Sequence, residues 1–552
     1  MRTRLALSRS SRSRSTRGAL LTRAGAGAAV ALSLLGLGSL VVPSLETASS
    51  PAGAAVSGDS GQRIQGFGAS GAWWPNDLQH FSPAGQEHVA SLLFDPSGLG
   101  LSQYRYNIGG GGVGVTTPEK LAPTFLTGFG SYDWSADPGG TGFLMMAAQH
   151  GVRTLIGFVN SAPVAWTTDH KSCGGALVPG AEAAYASYLS TVVAHFHDVD
   201  HVTLSYVSPV NEPDASQPTC RQEGMRVPVN QRAALVKAVA GALAKRAPYA
   251  RVIADESSLV ASQLLPETPR WLSARGVASS VAAIAHHTYD YPPLPVLRQV
   301  AQLGEHFDKP LWASEICCRN NRGFGYQFDP TMTSGLWLAN TIWADLTQAH
   351  DSAFDWWTAL SPRLGCNPVA DPACTGRVNP LGRNDALLYY DPGAGTDHNE
   401  TIYPTKRYWA LGNFSRYVRP GAVLHQVSGV AAGARAVAFE SKGGWSIVII
   451  NDAPTGTPPT PLTLHIPTSR ALTPATAAQT SDTLDLAPVP LPRYRNGTMT
   501  TSVAPHSITT FVLNPSPPRG RPSTAALQRP GRGTSASTGR ANAVQSRRTA
   551  RA

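Results

Sequence analysis

The sequence predicts an α/β fold: a (β/α)8 TIM barrel with an appended C-terminal antiparallel β-sandwich domain. Between residues 60 and 415, short apolar runs alternate with longer helical patterns, which is typical of a parallel sheet covered by helices. Eight of the runs have the composition of strands, and eight strand–helix units describe a barrel. After about Phe414 the pattern changes to Val/Thr-rich runs separated by Gly, Pro and Asn, as in antiparallel strands.

Each element follows from its local pattern. The predicted barrel strands lie at residues 64–69, 101–107, 153–159, 202–210, 251–255, 281–287, 310–315 and 353–358. Helical stretches between them include residues 83–94, 182–196 and 230–246. The runs at 436–440, 445–451, 462–466 and 508–513 are predicted sandwich strands, and residues 56–64 are a candidate for one more. The barrel is therefore expected over 60–415 and the sandwich over 416–514.

The two ends of the chain are predicted to lie outside these domains. Residues 1–23 contain seven arginines and no acid, and an apolar run at 28–42 follows them, so residues 1–55 are predicted to be a secretory signal peptide and linker. Residues 515–552 contain eight arginines, no acid and many small residues, which predicts a disordered tail. The protein is therefore expected to be extracellular.

The charge distribution argues against a nucleic-acid partner. The net charge is +10, but the fifteen arginines of the two ends exceed it, so the body of the chain carries about −5. The apolar run at 28–42 is short for a helix that crosses a membrane. We therefore expect no nucleic-acid partner and no membrane span, and we expect a monomer.

Six cysteines fit an exported protein in which disulfides persist. The sequence leaves fifteen complete pairings open. Cys366 with Cys374 is the favoured pair because it closes a short loop, whereas Cys317 and Cys318 have no evident partners. None of the spacings is typical of a zinc site, so neither a metal nor another cofactor is expected.

Two glutamates end predicted strands. The fourth strand ends in Asn211-Glu212-Pro213 and the seventh in Ser314-Glu315-Ile316, and these strand ends face each other across the mouth of a barrel. Glycoside hydrolysis needs a proton donor and a second carboxylate on the opposite face of the sugar. A separation of roughly 5 to 5.5 Å gives retention of configuration, and roughly 6.5 to 9.5 Å gives inversion. Two like charges at this distance should also raise the pKa of one carboxyl group.

Two other motifs have simpler interpretations. The run at 109–114 contains Gly-x-Gly-x-x-Gly, but no clear helix follows it, which favours a barrel loop over a dinucleotide site. His286 and His287 are adjacent, and neighbouring strand residues point to opposite faces, so they cannot both enter one site.

Several motifs together resemble glycoside hydrolase family 30, a member of a larger clan of retaining barrels. That clan has its nucleophile on strand seven and its acid/base on strand four. The resemblance runs from about residue 65 to residue 513. Its motifs are GFGASGAWW at 66–74, GLGL at 98–101, YRYNIGG at 104–110, NEP at 211–213, SEI at 314–316 and YWALGNFSRYVRPG at 408–421.

The resemblance implies roles for four residues near the strand ends. Glu212 would be the acid/base and Glu315 the nucleophile. Asn211 would bind the sugar 2-hydroxyl, and Arg105 would lie beneath Glu315 and keep it ionised.

Five further residues are implied as substrate-site residues. His287 and Tyr289 resemble the His-x-Tyr motif of strand six, whose Tyr contacts the nucleophile. Trp356 resembles the aromatic floor on which a sugar stacks. One member of the Trp73-Trp74 pair after the first strand, taken as Trp74, and Trp166, after the third strand, are the remaining candidates.

The resemblance also addresses a disulfide and the substrate. Cys173 and Cys220 would lie in neighbouring loops, so a bridge between them would stiffen the substrate cleft. The Trp pair and the YRYNIGG segment look most like endo-β-1,6-galactanases, which cut β-1,6-galactan side chains of arabinogalactan. The alternatives are β-1,6-glucan, xylan or glucosylceramide as substrate, and a carbohydrate-binding protein without catalysis.

Overall fold

The structure is a computed structural model that describes residues 53–318 and 326–516. The predicted signal peptide and linker (1–55) and the predicted tail (515–552) therefore lie almost wholly outside the described residues.

Eight parallel strands close into a barrel in which each strand pairs with its neighbours in the chain and the last pairs with the first. The fold class predicted from the sequence is thus confirmed. The strands are β1 Gly66–Gly71, β2 Gln103–Asn107, β3 Thr154–Phe158, β4 Leu204–Ser208, β5 Arg251–Ser257, β6 Val281–His287, β7 Leu311–Glu315 and β8 Asp351–Trp356. Strand β5 runs two residues beyond its predicted end, and this extension includes Glu256.

A helix follows each strand and covers the barrel. These helices are α1 Pro83–Phe94, α2 Pro138–Gln149, α3 Glu182–Asp198, α4 Val229–Arg246, α5 Leu265–Leu272, α6 Leu294–Phe307, α7 Met332–Ala344 and α8 Lys406–Ser415. Local chemistry fixes where two of them begin. The Ser82 hydroxyl accepts the N–H of Gly85 ahead of α1, and the Asp137 carboxylate accepts the N–H of Gly140 ahead of α2.

Short elements fill the connections. One-turn α-helices span Pro75–Leu78 and Ala394–Asp397, 3-10 turns span Pro118–Lys120, Val164–Trp166, Ala278–Ser280 and Pro372–Gly376, and π-turns span Val260–Leu264 and Asp345–Ala349. A hairpin joins Leu126–Gly128 to Ser131–Tyr132, and a small sheet contains Thr358–Ser361, Ala386–Tyr389 and Tyr403–Pro404.

The C-terminal region is a ten-stranded sheet around a second apolar core that includes Trp445, Ile447 and Leu464. Its strands, in spatial order, are Ala487–Pro488, Leu472–Thr480, Ser507–Pro515, Gly444–Asn451, Ala434–Ser441, Val423–Ser428, Ala54–Val56, Thr460–His465, Thr498–Val503 and Arg493–Arg495. The N-terminal strand Ala54–Val56 is parallel to Thr460–His465, so the sheet is not wholly antiparallel.

Three disulfides connect the six cysteines. Cys366 is bonded to Cys374 and Cys173 to Cys220, which confirms both favoured pairs. Cys317 and Cys318, which had no evident partners in the sequence, are bonded to each other. Among the described residues, no helix is both long enough and apolar enough to cross a bilayer.

Candidate active site

The barrel brings Glu212 and Glu315 together. Glu315 is the last residue of β7, and Glu212 lies four residues beyond the end of β4. One carboxylate oxygen of each, and one ring nitrogen of His287, lie within 4.8 Å of one another. The two strand ends therefore direct both carboxyl groups to one point at the mouth of the barrel.

Glu315 is held by two donors. Its Oε2 accepts a hydrogen bond from Arg105 Nη1 at 2.9 Å, and its Oε1 accepts one from the Tyr289 hydroxyl at 2.8 Å. The residue is 3% exposed. Burial raises the pKa of Glu315 and outweighs the positive charges of His287 and Arg105, while the negative charge of Glu212 raises it further. Arg105 was expected to keep Glu315 ionised, and it does lower the pKa of Glu315, but burial opposes that effect.

Arg105 is wholly buried and contacts several elements of the barrel. Its Nη1 also donates to the Ser70 hydroxyl at 2.8 Å, and its Nη2 lies 3.5 Å from Glu256 Oε2. The guanidinium carbon lies 4.3 Å from the centroid of the Phe158 ring. Arg105 thus contacts Glu315 directly, and its role in supporting a nucleophile stays a prediction.

His287 lies among three carboxylates. Its Nε2 is 2.9 Å from Glu256 Oε2, and its Nδ1 is 3.5 Å from Glu212 Oε1 and 3.7 Å from Glu315 Oε1. Burial alone would lower the pKa of His287, but the negative charges of these neighbours raise it to about 10. His287 is therefore a cation at neutral pH, and it contacts both glutamates of the pair.

Glu256 is a residue that the sequence interpretation missed. It is fully buried, and the Ser314 hydroxyl donates to its Oε2 at 2.5 Å. Burial would raise the pKa of Glu256, but Arg105 and His287 lower it to about 2. The available signal was the acidic Asp255-Glu256 pair at the end of an apolar strand, and placing the strand end at Asp255 hid it.

Glu212 has looser surroundings than Glu315. Its side chain is 15% exposed, and its Oε2 lies 3.5 Å from the Gln217 amide nitrogen, which donates to it. Its backbone has φ +48°, in the left-handed region that non-glycine residues seldom adopt. The Glu212 N–H donates to the Glu256 carbonyl at 3.0 Å, so β5 supports this conformation.

Asn211 belongs to a row of amides across three strand ends. Its oxygen accepts from Arg105 Nη2 at 3.3 Å, and its nitrogen donates to Asn160 at 3.1 Å. Asn160 in turn donates to Asn107 at 3.2 Å. These bonds fix the Asn211 amide at the mouth. Asn107 and Asn160 were not identified from the sequence.

Three of the predicted aromatic contacts differ from expectation. Trp356 is fully buried, and its indole nitrogen donates to the Asp385 carbonyl, so it packs outside the barrel and offers no face to a sugar. Trp74 is 3% exposed and donates to the Ser70 carbonyl. Trp166 is half-buried on the outer side, against Tyr185 and Tyr188 of α3.

Trp73 and Trp357, which are adjacent in the chain to Trp74 and Trp356, lie on the side of the barrel mouth that adjoins the carboxylates. Trp73 packs edge-on against Trp357, with ring centroids 5.4 Å apart, and both belong to an apolar cluster with Phe158. Phe158 stacks on the Arg105 guanidinium, so this cluster adjoins the carboxylates. Trp73 and Trp357 also line a small cavity of about 50 Å³. A larger cleft of about 550 Å³, between α6, α7 and the side sheet, contains neither glutamate.

The Glu212–His287–Glu315 set has donor atoms at metal-binding distances. However, Arg105 and Tyr289 already occupy both oxygens of Glu315, and His287 is protonated. A divalent cation would compete with a guanidinium and would require His287 to lose its proton. These residues therefore fit a metal poorly.

Two carboxyl groups that face each other at the mouth of a closed parallel barrel provide the pair of groups that hydrolysis of a glycosidic bond requires. Residues 55–267 match the family described as O-Glycosyl hydrolase family 30. This part of the chain is therefore similar to glycoside hydrolase family 30.

Solved structures with the same fold are similar over most of the chain. A conserved exported protein from Bacteroides fragilis matches with a TM-score of 0.70 and 19% identity, covering 84% of this chain and 100% of that one. The catalytic domain of a family 30 xylanase C from Talaromyces cellulolyticus matches with a TM-score of 0.64 and 20% identity, covering 84% and 99%. An endo-β-1,6-glucanase matches with a TM-score of 0.63 and 16% identity, covering 85% and 96%.

Proposed function

We propose that this protein is a secreted, retaining β-glycosidase that cleaves a β-linked polysaccharide by double displacement. Glu315 is the nucleophile and Glu212 the acid/base. The observation that carries this proposal is the approach of their carboxylate oxygens to within 4.8 Å at the mouth of the barrel. Three disulfides and the similarity to an exported protein support secretion.

The proposed reaction has two steps. Glu315 Oε attacks the anomeric carbon while Glu212 gives its proton to the leaving oxygen, so the glycosidic bond breaks and a glycosyl ester forms. Glu212, now a carboxylate, takes a proton from water, and the hydroxide attacks the anomeric carbon and releases Glu315. Both residues return to their starting protonation states.

The hydrogen bonds support this assignment of roles. Arg105 and Tyr289 both donate to Glu315, and these donors favour its charged form against the burial that raises its pKa. Burial and the neighbouring carboxylates raise the pKa of Tyr289 well above its usual value, so its hydroxyl stays protonated and able to donate. Glu212 is more exposed, which gives it access to the water of the second step.

The best candidate for the substrate is β-1,6-galactan, as found in side chains of arabinogalactan. The motifs that support it are the Trp73-Trp74 pair and the segment at 104–110, which contains Arg105. The structures named as a xylanase and as an endo-β-1,6-glucanase make xylan and β-1,6-glucan the specific alternatives. Glucosylceramide remains a further alternative from the family resemblance.

A panel of substrates tests this proposal. The purified protein is incubated with β-1,6-galactan, β-1,6-glucan, xylan and glucosylceramide, and the products are sized. We expect cleavage of galactan and loss of that cleavage in Glu315→Gln. If galactan stays intact while another polymer is cut, that polymer replaces galactan as the proposed substrate. If every substrate stays intact yet binds, the protein is a carbohydrate-binding protein.

Proton NMR of the first product tests the mechanism. A retaining enzyme releases the β-anomer from a β-linked substrate before mutarotation. An initial α-anomer would mean inversion and would exclude Glu315 as a nucleophile.

A further inference from the structure

Glu223 is a buried carboxyl group outside the catalytic cluster. It lies in the loop after β4, eleven residues beyond Glu212, and is 1% exposed. Its Oε1 accepts the N–H of Gly112 at 2.8 Å and that of Gly110 at 3.2 Å, and its Oε2 also lies 3.2 Å from Gly110 N. One side chain thus connects the loop after β4 to the glycine run after β2.

Further bonds make these loops one unit with the loop after β3. The Ser172 hydroxyl donates to the Gly110 carbonyl at 3.1 Å and accepts the N–H of Val113 at 3.2 Å. The disulfide between Cys173 and Cys220 then joins the loop after β3 to the loop after β4. A displacement of the glycine run would therefore move the other two loops as well.

The unit reaches Glu212 through Gln217. Gly224, next to Glu223, packs so closely on Gln217 that a Cβ at position 224 would lie 2.4 Å from Gln217 Cγ. Gln217 in turn donates to Glu212 Oε2. The path from the glycine run to the carboxylate of Glu212 thus passes through the close packing of Gly224 on Gln217 and a long hydrogen bond of 3.5 Å.

We propose that Glu223 is a positioning residue for the acid/base: it fixes the loop after β4 so that Gln217 holds Glu212 where it can protonate the leaving oxygen. This inference rests on the proposed function of Glu212. The Glu223 carboxyl group accepts from Gly110 and Gly112, and its proposed effect on Glu212 is exerted through Gln217.

The chemistry of Glu223 provides a matched pair of substitutions. Burial raises the pKa of Glu223 to about 8, against the lowering effect of the Gly112 and Gly110 N–H groups, so the group is largely neutral at pH 7. A neutral acid and an amide each offer one carbonyl oxygen, and Oε1 alone accepts both N–H groups. Glu223→Gln therefore preserves the connection, whereas Glu223→Leu leaves two buried N–H groups without an acceptor.

The leaving group of the substrate separates positioning of the acid from general damage to the fold. A dinitrophenyl leaving group departs without protonation, whereas a sugar alkoxide needs the acid, whose contribution is typically about 10² to 10⁴-fold. We expect Glu223→Leu to lower kcat/KM on the polysaccharide by about tenfold or more. On the dinitrophenyl β-glycoside of the same oligosaccharide, the loss of kcat/KM in Glu223→Leu should stay within about twofold. The separate variant Glu223→Gln should retain activity on the polysaccharide. Equal losses on both substrates, or no loss on either, would overturn the proposal.

A second variant keeps the test decisive if Glu223→Leu does not fold. Gln217 has φ +53°, which asparagine tolerates better than most residues, and Gln217→Asn shortens the side chain that reaches Glu212. It should show the same dependence on the leaving group with an unchanged melting temperature. If Gln217→Asn changes kcat/KM by the same factor on both substrates, the proposed path through Gln217 is contradicted.

Amide hydrogen exchange distinguishes failure of this inference from failure of the proposed function. If the wild-type protein cuts no polymer in the panel, the assignment of Glu212 fails. The coupling of the loops is then decided by exchange alone. Faster exchange at residues 212–217 in Glu223→Leu than in Glu223→Gln would support it, and equal exchange would refute it.

Discussion

The two halves of the candidate site are built differently. Glu315 ends a barrel strand, is buried, and is bonded to Arg105 and Tyr289 within 3 Å. Glu212 lies beyond its strand and is partly exposed, and its two neighbours, the Gln217 amide and His287 Nδ1, both lie 3.5 Å from its carboxylate oxygens. The nucleophile is thus held by short hydrogen bonds on a barrel strand, whereas the acid/base lies on a loop and is held at longer distances.

This difference matches the two proposed tasks. A nucleophile attacks one carbon from a fixed direction, so rigid support on strands lowers the cost of reaching the transition state. An acid/base must serve a leaving sugar in one step and a water molecule in the next, which requires contact with solvent. Because Gln217 lies on a loop, residues around Glu212 can be substituted without disturbing the packing of the barrel core.

The largest expected effect comes from removing each glutamate and supplying azide. Glu315→Ala and Glu212→Ala should each lower polysaccharide hydrolysis by on the order of 10³-fold or more. On a dinitrophenyl β-glycoside, azide should restore turnover in both variants with opposite stereochemistry. In Glu315→Ala azide replaces the nucleophile and gives an α-glycosyl azide, and in Glu212→Ala it attacks the glycosyl-enzyme and gives a β-glycosyl azide. NMR identifies the anomeric configuration of each glycosyl azide. The same anomer from both variants would contradict the assignment of Glu315 as nucleophile and Glu212 as acid/base.

The sequence located both glutamates because strand ends and the Asn-Glu-Pro and Ser-Glu-Ile motifs are local features. Trp356 shows the limit of that information. Side chains alternate between the two faces of a strand, and Asp355 faces the barrel interior with Arg105, so Trp356 faces the helices. Nothing local to a Trp-Trp pair tells which member points inward. The same one-residue ambiguity placed Trp74 at the site where Trp73 lies.

Glu256 was missed for a different reason. Its importance comes from Arg105 and His287, which belong to other strands, and the convergence of three charges depends on how the closed barrel brings these strands together. Glu223 is similar, since its partners lie more than one hundred residues away. The acidic pair at the end of β5 marks Glu256 as a candidate, but neither periodicity nor a motif shows which distant residues Glu256 and Glu223 contact.

The second largest effect is expected from Glu256→Gln, which tests whether the nucleophile half depends on charge balance. Its lowered pKa, about 2, means that ionised Glu256 stabilises the fold above pH 4.5, and that this stability is lost as pH falls through 2. Removing one partner of a buried ion pair costs about 3–5 kcal/mol. Urea unfolding at pH 7 should show a loss of this order, with a smaller difference from wild type near the acid end. An unchanged midpoint at pH 7 would show that Arg105 and His287 are balanced by other groups.

The smallest effect is expected from Asp355→Asn, which should raise the stability of the fold at pH 7, whereas Glu256→Gln should lower it. Burial raises the pKa of Asp355 to about 7, although the charge of Arg105 lowers it, and neither carboxylate oxygen of Asp355 has a hydrogen-bond partner among the described residues. Because the folded state favours the protonated form, wild-type stability falls as pH rises from about 4 to 7, and an asparagine avoids this loss. Melting temperatures of the variant and wild type should agree at pH 4, and the variant should melt a few degrees higher at pH 7. A lower melting temperature for the variant at pH 7 would show that ionised Asp355 stabilises Arg105, which would make it a second counter-ion of the nucleophile half.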